Sequence, residues 1–140
     1  MIATLIIVFN FSLQSQSMPL KKALIIDDED LSRMLIDTAL KKAGYETTLL
    51  KDGQDAEEAI RENTYDLVVT DLLMPGKEGV DVIDDLKQNH PQIKVIAVSA
   101  GGVVGHSSYL KLAQAYGADA VLEKPFTAAQ LISTVSDVLS

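Results

Sequence analysis

Residues 67–76 read LVVTDLLMPG. A run of aliphatic residues ends on a carboxylate, Asp71, just ahead of Met74, Pro75 and Gly76, which make a turn. A Val- and Leu-rich run without alternation suits a strand covered on both faces, as in parallel sheets. The carboxyl end of such a strand lies at the rim where open α/β sheets bind ligands. Asp71 is therefore either a cap for the turn or a working group, and the surrounding chain decides between them.

Outward from this stretch, short apolar runs alternate with longer amphipathic ones. ALIID (23–27), YETTLL (45–50), YDLVVTD (65–71), IKVIAVS (93–99) and ADAVLE (118–123) have the character of strands. Segments 30–44, 52–63, 79–89, 107–117 and 127–140 have helical periodicity. Five β/α units in this order predict an α/β fold: an open, parallel, five-stranded sheet with helices on both faces, joined by right-handed crossovers. Punctuation agrees. Gly44 follows Lys41 and Lys42 and closes the first helix, Gly117 precedes the fifth strand, and Thr127 is placed to cap the last helix. Asp52 is the expected cap of the second.

The totals narrow the function. With 140 residues the chain is the size of one domain, and 47% hydrophobic content supplies a core without staples. The absence of cysteine removes disulfides, thiolate metal sites and cysteine nucleophiles, and fits a reducing compartment. A net charge of −8 and a pI near 4.6 argue against nucleic acid and anionic membrane as partners. Residues 1–17, MIATLIIVFNFSLQSQS, carry no charge and differ in character from the rest of the chain. Their apolar run is shorter than the roughly 20 residues of a membrane-spanning helix, and no positive segment precedes it. They are expected to lie outside the fold, as an extension, a misassigned start or a signal-like segment, with the domain occupying 18–140.

Far-apart residues fall at the carboxyl ends of the predicted strands: Asp27 and Asp28 after the first, Asp71 after the third, Ser99 on the fourth and Lys124 on the fifth. A parallel sheet brings them to one rim. Three carboxylates and one ammonium sum to about −2, a repulsive group that Mg²⁺, a hard cation preferring oxygen ligands, would neutralise. Asp71 can attack phosphorus, since carboxylates form acyl phosphates. Lys124 and the metal would counter the charge of the transferred group and Ser99 would bond one of its oxygens. Taken singly, these residues have ordinary readings: turn or helix caps for the aspartates, a surface lysine, a strand-end serine. Gly101, Gly102 and Gly105 lack the Gly-Lys-Ser/Thr of a phosphate loop. His90 and His106 read as surface histidines, and Glu57, Glu58, Arg61 and Glu62 as a solvated helix face.

The combination LIIDDED, VVTDLLMPG, VIAVSA and LEKPF resembles the receiver domains of two-component response regulators, over Pro19 to Ser140. That resemblance implies a flavodoxin-like (βα)5 fold, a stand-alone receiver and a cytoplasmic setting. It implies Asp71 as phosphoacceptor, Asp28 as direct metal ligand, Asp27 acting through metal-bound water, and the Leu73 backbone carbonyl completing the shell around Mg²⁺. Ser99 becomes the switch hydroxyl, Lys124 the counter-charge, and the Lys124–Pro125 peptide is expected to be cis. The donor would be a histidine kinase or a histidine phosphotransfer protein. A downstream protein would dock where the fourth helix, fifth strand and fifth helix meet, and turnover on an external substrate is not expected. Two departures stand out: Val121 occupies the position where many receivers have Tyr or Phe, and the loop AGGVVGHSS is about three residues longer than usual. The first keeps a second reading in view, a module that binds a partner without phosphorylation. A flavodoxin is disfavoured by Asp27 to Asp30, which would repel a phosphate, and a dehalogenase-like phosphatase by Leu73, where its second acid would stand.

Overall fold

The structure, a computed structural model, describes residues 20–72, 79–100 and 106–140, without the side chains of 106–110. The extension 1–17, Leu73, the turn Met74 to Gly76, the loop glycines 101, 102 and 105, and the side chain of His106 lie outside the described residues.

The five apolar runs form strands β1 (Lys22–Ile26), β2 (Glu46–Leu50), β3 (Leu67–Asp71), β4 (Lys94–Ala100) and β5 (Ala120–Lys124). They alternate with helices α1 (Asp30–Lys42), α2 (Ala56–Glu62), α3 (Gly79–Asn89), α4 (His106–Ala115) and α5 (Ala128–Leu139). All pairings are parallel, in the order β2-β1-β3-β4-β5. β3 is central and buried along its whole length, which is why its sequence carries no polar alternation. Successive residues of a strand point to opposite faces, so β3 feeds both cores. Val69 packs with Ile36 and Leu40 of α1 and Leu131 and Val135 of α5, while Val68 packs with Ile60 of α2 and Val82, Ile83 and Leu86 of α3. The chain reverses its winding direction between β1 and β3, and the carboxyl ends of that pair form the crevice of an open sheet.

Local signals hold at most ends. Gly44 and Gly117 take φ of 96° and 103°, the left-handed conformation glycine adopts without strain. Thr127 and Gln130 form a reciprocal capping box at the start of α5. Asp52 does not cap α2: its Oδ1 accepts from the Gln54 N–H at 2.9 Å, and the helix begins only at Ala56. An aspartate that bonds the backbone two residues on makes a turn of its own and delays the helix. At α1 the N-cap position is Glu29, without a side-chain cap bond, so neither Asp27 nor Asp28 serves as the cap.

Candidate functional site

Asp27 follows β1 directly and is 1% exposed. Its Oδ1 accepts from the Glu29 N–H at 2.9 Å, and its Oδ2 accepts from Ser32 Oγ at 2.7 Å and pairs with Lys124 Nζ at 2.9 Å. Burying a charge demands such company. Asp28, the next residue, is exposed and makes no hydrogen bond or ion pair among the described residues. Asp71, at the end of β3, is almost buried and has Oδ2 3.3 Å from Lys124 Nζ. Carboxylate oxygens of Asp27, Asp28 and Asp71 lie within 4.8 Å of one another. Oxygen donors at this density suit a small hard divalent cation.

The backbone holds Asp71 in place from several sides. The Leu72 N–H donates to Val98 O at 3.0 Å and continues the β3–β4 ladder past the acid. The Thr70 hydroxyl donates to Asp71 O at 3.0 Å. Gly79 opens α3 against the same carbonyl, and a Cβ built there would come within 1.9 Å of Asp71 O, so only glycine permits this approach. Ser99 is buried on β4, one residue beyond Val98, the register partner of Asp71. Lys124 ends β5 opposite Ala100. Burial alone would lower its pKa. The hydrogen bond and charge of Asp27, followed by those of Asp71, outweigh that and raise it above the ordinary lysine value. Glu29 Oε2 stands 3.8 Å from the same ammonium.

The structure thus brings Asp27, Asp28, Asp71 and Lys124 together, with Ser99 on the adjoining strand. The Lys124–Pro125 peptide is cis, as the sequence led us to expect. Val121 is half-buried and packs against the core on the α2–α3 face. Sequence reasoning missed Ser32, which secures Asp27, and Arg33, whose Nη1 donates to Asp27 O at 2.8 Å while Nη2 pairs with Asp30. The spacing of Asp30 and Arg33, three residues apart at a helix start, was the available signal.

Comparison with known proteins agrees with this geometry. Residues 23–136 match the response regulator receiver domain family. The chain is 31% identical over 118 residues to the DNA-binding transcriptional regulator NtrC of Escherichia coli K12, covering 83% of this chain and 24% of that protein. The chain spans about a quarter of the length of such curated relatives. Among solved structures, the receiver domain of NtrX from Brucella abortus superposes with a TM-score of 0.77 at 31% identity, covering 84% of this chain and 97% of that one. A response regulator receiver domain protein from Clostridium thermocellum gives 0.76 at 30% identity, over 86% and 94%. CheY4 of Vibrio cholerae, at 24% identity and a TM-score of 0.77, shares the fold. The chain belongs to the response regulator receiver domain family and is a module of two-component signalling. Among the described residues, no helix is long and apolar enough to cross a membrane.

Proposed function

We propose that this receiver accepts a phosphoryl group on Asp71 from a phosphohistidine, carried by a histidine kinase or a histidine phosphotransfer protein. The carrying observation is the setting of Asp71: a nearly buried carboxylate at the end of the central strand, crowded by two further acids and met by the Lys124 ammonium. A carboxylate oxygen of Asp71 attacks phosphorus in line, the P–N bond breaks, and the departing imidazole keeps the electron pair. Asp71 needs no general base, because it reacts as the anion. Lys124 loosens from Asp27 and Asp71 to meet the new phosphoryl oxygens, and Ser99 donates its hydroxyl to one of them. Fixed donors carry most of such catalysis, since positioning and charge are what phosphoryl transfer demands.

The three-carboxylate set fits Mg²⁺, which when bound spreads the charge of the transferred group. Asp28 and Asp71 would hold it directly, with the Leu73 carbonyl, and Asp27 through water. The commitment of Asp27 to Ser32, Glu29 N–H and Lys124 supports that division. The same chemistry is self-directed, so the chain is a phosphoacceptor that switches a partner, and it has no external substrate to turn over. A downstream protein would meet α4, β5 and α5, where Leu112 and Tyr116 are about two-fifths exposed. The domain is assigned to residues 18–140, in a cytoplasmic setting, with 1–17 outside it.

Acetyl phosphate and, separately, a phosphorylated histidine donor test this by intact mass. A single metal-dependent adduct in the native chain, absent in Asp71→Asn, is expected. No adduct from either donor would overturn the proposal in favour of constitutive binding.

A further inference from the structure

We propose that Arg33 is a positioning residue for the metal-binding turn, setting how tightly the acids of this receiver hold Mg²⁺. The inference rests on the metal reading above and extends it to a residue that touches neither the metal nor the phosphoryl group.

The acidic turn between β1 and α1 carries two aspartates with opposite fates. Asp27 is buried and saturated, while Asp28 is exposed and has no partner among the described residues. A direct ligand without a bond of its own must be aimed by its backbone, so whatever fixes that backbone fixes the ligand. Arg33 does this from the first turn of α1. Its Nη1 donates to the carbonyl of Asp27, the group joining Asp27 to Asp28, at 2.8 Å. Its Nη2 pairs with Asp30, and its backbone N–H donates to Glu29 O at 3.0 Å. One planar guanidinium therefore ties both ends of the turn, and only 11% of the side chain is exposed. Lysine carries its donors on one nitrogen and lacks the rigid planar fork whose two separate nitrogens bond Asp27 O and Asp30 here. The exposed Asp30 offsets the charge of Arg33, so the clamp adds order to the turn with little net repulsion of a cation.

Geometry and charge predict opposite results, which makes the inference testable. If Arg33 acts only through its charge, Arg33→Ala makes the rim more negative and tightens Mg²⁺, and Arg33→Lys changes nothing. If it positions the turn, both substitutions weaken Mg²⁺ by about tenfold, the lower end of what groups behind metal ligands contribute. Mg²⁺ would be titrated calorimetrically into the full chain and both variants, with the urea midpoint of each metal-free protein measured in parallel. The expected result is weaker Mg²⁺ binding in Arg33→Lys with the metal-free midpoint close to native. Unchanged affinity in Arg33→Lys overturns the proposal, also where Arg33→Ala fails to fold. Absence of Mg²⁺ binding in the native chain overturns the metal reading, and this inference with it.

Discussion

Both ends of the sheet carry aspartates, and the two sets do opposite work. At the amino end, Asp66 precedes β3 and accepts the Lys22 N–H of β1 at 2.8 Å, while Asp119 precedes β5 and accepts the Val95 N–H of β4 at 2.8 Å. Asp119 also holds Lys87 Nζ at 2.6 Å, and that ammonium reaches Ile93 O at 3.2 Å. Each carboxylate ties the start of one strand to its neighbour. At the carboxyl end, Asp27, Asp28 and Asp71 face one another, and Lys124 is pulled between two of them. An acid that accepts a backbone N–H of the neighbouring strand is a fastening. Acids crowded together repel one another at some cost in stability, and under the proposed function that crowding holds a place for a cation.

Substitution of Asp119 tests the fastening most severely. Asp119→Ala removes the acceptor from a partly buried ammonium and from a backbone N–H near the start of β4. Hydrogen bonds to charged groups contribute about 1.5–3 kcal/mol, so a loss of about 2–3 kcal/mol in urea unfolding is expected, with Mg²⁺ binding and phosphorylation retained by the folded fraction. A loss below about 0.5 kcal/mol, the level of an exposed pair, would break the distinction between the two ends.

The opposite sign is expected at the other rim. Asp28→Asn removes one of three mutually repelling charges and no hydrogen bond among the described residues. Two unit charges about 4 Å apart in water repel by about 1 kcal/mol, and the exposure of Asp28 keeps the gain at or below that figure. The metal-free variant should therefore be slightly more stable than the native chain. Mg²⁺ at ten times its dissociation constant should then raise native stability by about 1.4 kcal/mol and leave the variant nearly unmoved. A destabilised Asp28→Asn would mean that this acid, too, is structural.

The two ends differed in how far the sequence disclosed them. The carboxyl rim was legible because each of its acids terminates a run of strand-forming residues, and strand ends align in a parallel sheet whatever their separation in the chain. The amino end was not, because the Lys87–Asp119 pair joins residues 32 apart, on a helix and before a strand, and nothing in either segment marks it. Arg33 and Ser32 were hidden for a related reason. Both fit the helical period of segment 30–44, which accounted for them before Asp27 could be asked what holds its carboxylate. The start of α2 was misplaced because aspartates stand at both 52 and 55, and which one begins a helix depends on backbone bonds that composition does not express.

A milder change refines the comparison at the amino end. Asp66→Asn keeps an acceptor for the Lys22 N–H and removes only the charge, so a loss of about 0.5 kcal/mol is expected, against several times that for Asp119→Ala. Equal losses would show that charge matters as much as the hydrogen bond at these fastenings.

The last contrast is silent at neutral pH. Lys124 has a folded pKa above the ordinary 10.5, so its charged form stabilises the folded chain in full below about that pH. The contribution disappears as pH rises through the raised folded value, because the deprotonated amine no longer supplies the positive charge that Asp27 and Asp71 share. Lys124→Met cannot titrate. The stability difference between native chain and variant should hold steady from neutral pH to about 10 and then shrink. Urea midpoints taken across that window decide the matter. A difference that stays constant through it would mean that Lys124 supports the rim by packing alone, and that the acids there are restrained by something other than its charge.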